Sequence, residues 1–253
     1  MTTAKDILQF LESIVPIALK AEWDNIGLLC GRENKEVHTI LVALDPFPHV
    51  CREAVEAGAD LLVTHHPLIF QPLSAITDKN SVGQSIMTLI ANDVPVINAH
   101  TNLDCAVGGV NDVLAEKLEL TDVSVLGQEH LLRCGYYESD LPEFLSHVKQ
   151  KLGCMGLRYA DGETPVRKVA VGGGSCGSEL PLVIASGCDT FVTADVKYNQ
   201  FWEAKAMGIN LIDAGHFQTE NPVIAPLAKQ IQNTFPEISV IISQKHKDCM
   251  KFY

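Results

Sequence analysis

The stretch Gly58-Ala-Asp-Leu-Leu-Val-Thr-His-His66 decides the fold class, because a second stretch, Gly187-Cys-Asp-Thr-Phe-Val-Thr-Ala-Asp195, repeats its pattern. Four of the nine aligned positions are identical. Each stretch contains a short apolar run that ends at a threonine. Such a run is typical of a strand buried in a parallel sheet. Ligands gather at the carboxyl ends of such strands. The two stretches therefore predict an α/β fold with functional groups at its strand ends.

Strands and helices alternate on both sides of the first stretch. Up to residue 127 the apolar pattern predicts strands at 39–44, 61–63 and 94–98, and helices at 3–20, 50–57, 82–92 and 110–118. From residue 128 it predicts strands at 131–136, 157–160, 168–171, 190–192, 209–212 and 238–242, and helices at 142–152, 180–186, 200–207 and 223–233. This alternation predicts a parallel α/β sheet.

The chain length leaves the number of domains open. At about 150 residues per domain, 253 residues fit either one large α/β domain or two smaller ones. We predict two α/β halves, residues 1–127 and 128–253, with the alternative that the C-terminal elements return to the first half. No low-complexity linker separates the halves.

A second repeat supports a relationship between the two halves. Val94-Pro-Val-Ile-Asn-Ala-His100 matches Ile209-Asn-Leu-Ile-Asp-Ala-Gly-His216 with one inserted glycine, and a carboxylate follows each histidine, at Asp104 and Glu220. We therefore predict an internal duplication that places the strand ends of both halves around one cleft. Short α/β strands also resemble one another without duplication, and this alternative stays open.

Charge and hydropathy exclude several classes of protein. With 19 basic and 31 acidic residues the net charge is −12, which repels a phosphate backbone and argues against general nucleic-acid binding. No apolar run reaches the roughly 18 residues that a membrane helix needs, and the first ten residues lack a signal-peptide pattern. We predict a cytoplasmic protein. One basic cluster, interpreted as a solvated tail, comprises Lys245, His246, Lys247 and Lys251.

The eight cysteines do not form a recognisable metal or redox motif. The two nearest in sequence, Cys176 and Cys188, are 12 residues apart, so no C-x-x-C pair exists. A chain of this size in a reducing compartment does not depend on disulfides. We predict that the cysteines are reduced and that most are small buried side chains.

Histidines and carboxylates cluster where predicted strands end. The clusters are His65 with His66, His100 with Asp104, Asp195, and His216 with Glu220. Imidazole and carboxylate ligands together suit Zn, Fe, Mn, Co or Ni, and a carboxylate can bridge a pair of ions. The alternative is structural, with the adjacent histidines ending a strand and Asp104 capping a helix.

Several motifs resemble the signatures of one family. They are Thr64-His-His-Pro-Leu-Ile-Phe70, Asn98-Ala-His-Thr-Asn-Leu-Asp104, Asp213-Ala-Gly-His-Phe-Gln-Thr-Glu220, Trp23-Asp-Asn-Ile-Gly-Leu28 and Ala43-Leu-Asp45. In combination they resemble the YbgI or NIF-three-like family, also called GTP cyclohydrolase type 2 homologues. The resemblance spans nearly the whole chain and indicates the short form of the family, which lacks an inserted domain between the halves.

The resemblance implies a dinuclear metal centre in the cleft between the halves. Its implied ligands are His65, His66, Asp104, His216 and Glu220, with Glu220 as the bridge. Two divalent ions per chain, of Zn, Fe, Mn, Co or Ni, would lower the pKa of a shared water and supply hydroxide near neutral pH. The resemblance also implies a homo-oligomer, a ring-shaped hexamer.

Two further residues of these motifs, His100 and Asp45, are considered for roles other than metal binding. His100 lies outside the implied ligand set and is our candidate catalytic residue, either orienting a ligand or shuttling a proton. The alternative is a structural histidine. For Asp45 we favour capping of the next segment over orienting water or a ligand.

Two loops also leave alternatives open. Gly172-Gly-Gly-Ser-Cys-Gly177 is either a tight turn between strand and helix or an anion-binding nest for a substrate phosphate. It lacks the lysine of a Walker loop. Thr193-Ala194-Asp195 departs from the family pattern, where many members have glycine in place of Ala194. We expect strain there if the turn needs positive φ, because alanine adopts it less readily than glycine.

Two functions are compatible with these residues. The first is a metal-dependent hydrolase acting on a nucleotide or related small molecule, for which the resemblance implies ring opening of GTP by a metal-bound hydroxide. No residue in the sequence specifies guanine. The second is a non-enzymatic metal-binding adaptor or regulatory protein. Five protein ligands for two ions leave coordination positions open, which favours catalysis.

Overall fold

The computed structural model describes residues 1–253. The helices are α1 (Ala4–Ile14), α2 (Pro48–Glu56), α3 (Ser81–Ala91), α4 (Thr101–Cys105), α5 (Val110–Lys117), α6 (Leu141–Leu152), α7 (Leu180–Ala185), α8 (Tyr198–Ala206), α9 (His216–Glu220) and α10 (Ile224–Thr234). The strands are β1 (Gly27–Cys30), β2 (Thr39–Ala43), β3 (Leu61–Thr64), β4 (Val96–Asn98), β5 (Thr121–Leu126), β6 (Leu132–Ser139), β7 (Arg158–Ala160), β8 (Val166–Val171), β9 (Thr190–Thr193), β10 (Asn210–Asp213) and β11 (Ser239–Ile242). The fold is mixed α/β with two sheets, as the sequence predicts in outline.

The chain forms two compact units. Unit 1 comprises Met1–Ala106 and Ile224–Lys247, and unit 2 comprises Val107–Val223 and Asp248–Tyr253. The first boundary therefore differs from the predicted one at 127. The physical reason is that β5 pairs with β6, which draws the segment after Ala106 into the second sheet. At the C-terminal end, α10 and β11 belong to unit 1.

Unit 1 is built on a five-stranded sheet in the order β1-β4-β3-β2-β11. Strands β4, β3, β2 and β11 are parallel, and the apolar residues of β4, β3 and β2 are buried, whereas those of the edge strand β11 are half-buried. The edge strand β1 runs antiparallel to β4. The sheet is therefore mixed, whereas the sequence predicted a purely parallel one. The four residues of β1 are half-buried and give no strong strand signal in the sequence.

The first helix shows how local sequence sets element bounds. Thr3 accepts a hydrogen bond from the backbone N–H of Asp6, whose side chain in turn accepts one from Thr3, so the two residues form a capping box. The predicted helix extended to residue 20, but α1 ends at Ile14. Pro16 has no N–H to donate and restricts the residue before it, and only a short 3₁₀ turn, Ile17–Leu19, follows.

Unit 2 is built on a six-stranded sheet in the order β5-β6-β8-β9-β10-β7. Its centre, β8-β9-β10, is parallel, and β5, β6 and β7 add antiparallel pairs on both sides. Phe144 of α6 is fully buried in one core cluster, with Val192 and Ile212. Phe191 is fully buried in the second cluster.

The two units repeat one arrangement of elements. In unit 1, β2, β3 and β4 are parallel neighbours, and the five-residue helix α4 follows β4. In unit 2, β8, β9 and β10 are parallel neighbours, and the five-residue helix α9 follows β10. An antiparallel strand pairs with the last strand in each case, β1 with β4 and β7 with β10. This repetition agrees with an internal duplication, which stays a prediction.

The cysteines form no disulfides in the structure. All eight cysteines are free thiols, and six of them are buried, at Cys51, Cys105, Cys134, Cys154, Cys176 and Cys188. Burial raises the pKa of the Cys51 and Cys154 thiols to about 11, so both remain protonated near neutral pH.

None of the helices combines the length and the apolar character that a membrane crossing requires.

Glu53 of α2 ties the last segment of unit 1 to this helix. Its buried carboxylate accepts hydrogen bonds from the backbone N–H of Gln244 at 2.7 Å and of Lys245 at 3.2 Å, and from the hydroxyl of Ser243. Burial opposes ionisation of Glu53, but these three donors outweigh it and hold its pKa below the ordinary value. The segment is thus fastened by an ionised carboxylate.

We expect Glu53→Gln to lower the free energy of unfolding by about 1.5–3 kcal/mol at pH 7, because hydrogen bonds to a charged acceptor are lost. A lowered folded-state pKa contributes stability above the unfolded-state pKa, near about 4.3, and this contribution disappears as pH falls through the folded-state value. The difference between wild type and variant should therefore shrink below about pH 4. Urea unfolding at several pH values measures it. Glu22→Gln, at an exposed glutamate of the same unit, is the control, and an equal loss in both variants would contradict the assignment.

Candidate metal centre

Sheet register brings the polar residues of unit 1 together. Ala43 of β2 pairs with Thr64 of β3, and Thr64 pairs with Asn98 of β4. Two residues beyond this row lie Asp45, His66 and His100. Because the three strands are parallel, these side chains emerge at the same edge of the sheet. The predicted placement of His66 and His100 at neighbouring strand ends is therefore present in the structure.

Three imidazoles of unit 1 form one cluster. The ring centroids of His65 and His66 are 4.8 Å apart, and those rings lie 5.4 Å and 5.5 Å from the ring of His100. One potential ligand atom from each ring lies within 4.8 Å of those of the other two. Imidazoles at this spacing are close enough for neighbouring rings to share one metal ion.

Each imidazole of the cluster is held through Nδ1. The acceptors are the carbonyl oxygen of Ala99 for His65 at 2.9 Å, Asp45 for His66 at 2.7 Å, and Asp24 for His100 at 2.8 Å. Carbonyl and carboxylate oxygens only accept hydrogen bonds, so the partners assign the proton to Nδ1 in all three rings. In the neutral ring the lone pair then lies on Nε2. This is the tautomer and the outer hydrogen bond typical of histidines that bind metal.

A buried carboxylate lies beside this cluster. Asp104 Oδ1 is 3.4 Å from Nε2 of His65, and both side chains are buried. The alternative that Asp104 caps a helix is wrong, because His100 occupies the N-cap of α4 and Asp104 is the fourth residue of that helix. A carboxylate removed from water beside an imidazole nitrogen fits a position where a cation binds.

Asp24 has a role that the sequence motif did not reveal. It accepts hydrogen bonds from His100 Nδ1 and from the backbone N–H and hydroxyl of Thr101. Burial raises the pKa of Asp24, but the bonds from His100 and Thr101 outweigh this effect and bring it to about 2. Asp24 is therefore ionised near neutral pH and orients His100.

Asp45 does not cap the following helix, as we had favoured. The N-cap of α2 is Phe47, and no side chain bonds there. Instead one carboxylate oxygen of Asp45 bonds His66, and the other accepts a hydrogen bond from Nε2 of His246 at 2.8 Å. Burial opposes ionisation, but the two histidine bonds keep the pKa of Asp45 far below its ordinary value. Asp45 is thus an ionised group that orients His66.

His246 is the residue whose role is furthest from its sequence-based interpretation. Within the basic cluster it was predicted to be part of a solvated tail, yet its side chain is only 5% exposed. Its ring lies against those of His49 and Phe47, with centroids 6.1 Å and 6.4 Å away. Glu53 fastens the residues just before it. No local signal identifies this role, because Asp45 lies 201 residues away in the sequence.

Unit 2 presents a histidine in the same manner. His216 Nδ1 bonds Asp195 Oδ2 at 2.7 Å, and His216 Nε2 lies 2.9 Å from Glu220 Oε2, one helical turn along α9. Register again explains the placement. Thr193 of β9 pairs with Asp213 of β10, and Asp195 and His216 follow two and three residues later. The inserted Gly215 accounts for the extra residue.

The substitution at Ala194 is accommodated without strain at the alanine. Positive φ occurs at the next residue, Asp195, with a value of 51°. Aspartate tolerates the left-handed region better than most residues with a Cβ. Ala194 is fully buried, and its N–H donates to the carbonyl oxygen of Gly174 at 2.9 Å. The expected strain therefore does not arise at residue 194.

The glycine loop of unit 2 is a packing turn. Its N–H groups donate within the protein: Gly172 to Val192, Gly173 to Asn111, Gly174 to Thr219, and Cys176 to Thr193. These four amides are therefore engaged, which favours the turn over the phosphate nest. At Gly174, with φ of 62°, a Cβ atom would lie 2.0 Å from Glu220 Oε1 and 3.2 Å from His216 Nε2. The loop thus passes so close to Glu220 that only glycine fits.

The predicted ligands form two groups, one in each unit. Unit 1 places His65, His66 and Asp104 beside His100, and unit 2 places His216 beside Glu220. Imidazole nitrogen and carboxylate oxygen suit divalent ions such as Zn, Fe, Mn, Co and Ni. The tautomers, the buried carboxylates and the space made by Gly174 all fit such an ion. The individual ligand roles stay predictions.

Comparison with known proteins agrees with the motif resemblance. The family model described as Duf34/NIF3 (NGG1p interacting factor 3) matches residues 2–249. A protein from Clostridium perfringens named GTP cyclohydrolase 1 type 2 homolog is 34% identical over 257 residues, which cover 98% of each chain.

Solved structures of similar proteins have the same fold. The Bacillus cereus protein related to NIF3 has a TM-score of 0.94 at 28% identity, covering 100% of this chain and 99% of that one. The Staphylococcus aureus protein SA1388 has a TM-score of 0.93 at 27% identity, with the same coverage of 100% and 99%. The similarity extends through both units.

We expect Gly174→Ala to weaken zinc binding at least about tenfold, because the new Cβ displaces Glu220 and disturbs His216. The control is Gly187→Ala. Gly187 also has positive φ, 71°, but no atom lies within 4 Å of its added Cβ, so this variant carries backbone strain without the clash. Competition with a chromophoric chelator measures affinity, and thermal unfolding separates strain from ligand displacement. Equal zinc affinity in the two variants would refute the role given to Gly174.

Proposed function

The chain belongs to the Duf34/NIF3 family, and from this premise we propose that it is a divalent-metal-dependent hydrolase acting on a nucleotide or related small molecule. One observation carries the proposal. Every histidine of the predicted ligand set has a hydrogen-bond partner at Nδ1. Beside the Nε2 atoms of His65 and His216 lie the buried carboxylates of Asp104 and Glu220, and imidazole nitrogen next to carboxylate oxygen is a donor set that would bind a divalent ion.

The proposed ligands are His65, His66 and Asp104 of unit 1 and His216 and Glu220 of unit 2. They would bind two divalent ions per chain, with Glu220 as the bridging ligand. Divalent ions so bound would polarise a substrate oxygen and lower the pKa of water. The protein's part is to fix ligand orientation, through Asp45 for His66 and through Asp195 for His216.

His100 is the proposed catalytic residue. The ionised carboxylate of Asp24 holds its Nδ1–H, and the three-histidine cluster places its ring beside those of His65 and His66. In the proposed reaction, Nε2 of His100 accepts a proton from the attacking water and returns it to the leaving group. Asp24 stabilises the imidazolium that forms in between, as a fixed negative charge close to the ring.

The finer parts of the proposal depend on the family resemblance. The name GTP cyclohydrolase 1 type 2 homolog, carried by the Clostridium perfringens relative, supports a nucleotide substrate and hydrolytic ring opening. We also propose a homohexamer and a cytoplasmic location. The main alternative function is a non-enzymatic metal-binding adaptor or regulatory protein, in which the same ligands hold metal without turnover.

Metal analysis tests the ligand set. After dialysis against zinc and removal of free ions, we expect about two ions per wild-type chain. Glu220→Gln should lower occupancy most, because it removes a negative ligand, and Asp45→Asn should weaken affinity by about 10–100-fold through loss of the orienting bond to His66. The control is His38→Gln, an exposed histidine paired with Glu36. A stoichiometry near zero in the wild type, unrestored by added metal, would overturn the proposal.

Turnover separates the hydrolase from the adaptor. Metal-loaded protein should convert at least one member of a panel of nucleotides and pterin precursors, and a chelator should abolish this conversion. His100→Gln should lower the rate about 100-fold or more while zinc occupancy stays near that of the wild type, because a proton-transfer group is lost and the ligands remain. Full metal occupancy without turnover on any compound would favour the adaptor.

A further inference from the structure

Two large aromatic side chains stand exposed beside His100. Trp23 is 63% exposed and Phe70 is 46% exposed. Their rings pack edge to face with centroids 5.7 Å apart, and each centroid lies 6.2 Å from that of His100. We call the exposed rings of Trp23 and Phe70 the aromatic surface. A single exposed aromatic residue needs no explanation, but two that pack against a candidate catalytic histidine indicate a binding surface.

Hydrogen bonds on both sides hold the aromatic surface in place. Asp24, next to Trp23, bonds His100 and Thr101. Asn25 Nδ2 donates to the carbonyl oxygen of Ile69, the residue before Phe70, at 2.6 Å. The segment that carries Trp23 is therefore fastened both to His100 and to the segment that carries Phe70. A surface ordered before binding loses less conformational freedom when a ligand arrives.

The neighbourhood of the aromatic surface indicates what binds there. His100 contacts both rings on one side and lies 5.4 Å and 5.5 Å from the rings of His65 and His66 on the other. A ligand with a planar ring next to a reactive oxygen or nitrogen group fits this order of side chains. Its ring would lie on Trp23 and Phe70, and its reactive group would reach the Nε2 atoms of the histidines. A planar ring gains more from these exposed faces than an aliphatic ligand does, because it can stack on an aromatic ring as well as bury apolar area.

We propose that Trp23 and Phe70 bind the planar aromatic heterocycle of the substrate and thereby select for a base-like ring. This assignment deepens the proposed function and rests on it for the identity of the reacting group. Ring binding itself requires only the aromatic surface. Stacking of a base on an aromatic side chain changes affinity substantially, and every base has a face that permits it. The aromatic surface therefore selects for the ring class rather than for guanine.

Fluorescence offers a direct test because the chain has two tryptophans, Trp23 and Trp202. In a Trp202→Phe background the emission reports on Trp23 alone. We titrate this protein with GMP, AMP and neopterin, and with ribose 5-phosphate as a probe that has a phosphate and a sugar but no ring. We expect saturable quenching by the ring compounds and none by ribose 5-phosphate.

Variants then test the two rings separately. Phe70→Leu should weaken GMP binding at least about fivefold, and isothermal titration calorimetry of Trp23→Leu should give a similar loss. The matched control is Phe235→Leu, which disrupts another edge-to-face pair of unit 1, Phe10 with Phe235 at 5.5 Å. That variant should bind GMP like the wild type. Zinc occupancy, measured in the same samples, should not change in any of these variants.

Three results would overturn the assignment. They are equal affinity for GMP and ribose 5-phosphate, unchanged affinity in Phe70→Leu, and an absence of binding by every ring compound. A change of oligomeric state in Phe70→Leu, seen by sedimentation equilibrium without loss of ligand affinity, would assign the surface to contact between copies instead. Failure of the proposed function looks different. In that case zinc or turnover is missing while ring-dependent quenching of Trp23 persists.

Discussion

The hydrogen bond from a histidine Nδ1 to a fixed acceptor is the interaction on which the candidate centre depends. It assigns a proton to Nδ1 and stops the ring from rotating, so that Nε2 is the atom that would bind a metal ion. His66 and His216 use aspartate acceptors, Asp45 and Asp195. Without such acceptors an imidazole exchanges tautomers and orientations, and a metal ion would have to order it on binding. Here the rings are already ordered when the protein folds, so that metal binding would not have to order them.

The fold supplies the acceptors because parallel strands end at the same edge of a sheet. In unit 1 the register row of Ala43 and Thr64 places Asp45 next to His66, each two residues further along. In unit 2 the register of β9 and β10 likewise places an aspartate acceptor, Asp195, next to His216. A register slip of one residue would reverse the faces of every side chain in a strand, so the pairing of the apolar strand interiors also aligns the polar ends. Core packing and site geometry are therefore one constraint.

Local sequence predicted the strand-end histidines well because their signal is local, an apolar run followed by imidazole or carboxylate. The acceptors were harder to predict. Asp45 resembles an ordinary cap, and its partner His246 comes from a C-terminal segment that local pattern assigns to a solvated tail. The antiparallel edge strands β1 and β5 were missed, although the edge strand β7 was predicted. A half-buried strand of four residues such as β1 has a weak periodic signal. The Asp45–His246 hydrogen bond and the edge strands depend on contacts between residues far apart in the sequence. A pattern of neighbouring residues does not contain this information.

In the proposed function, Asp24 would connect orientation of the catalytic group with recognition of a ligand. Its carboxylate fixes His100, and its backbone adjoins Trp23, so one ionised residue positions both the proposed proton-transfer residue and part of the aromatic surface. A net charge of −12 makes the approach of an anionic ligand unfavourable over most of the chain. Bound divalent cations would reverse that sign locally, beside the histidines, whereas stacking on Trp23 is insensitive to charge. A ligand that combines a planar ring with an anionic group would thus interact with both the bound cations and the aromatic surface. A ligand with only a ring or only an anionic group would interact with one of them and would bind more weakly.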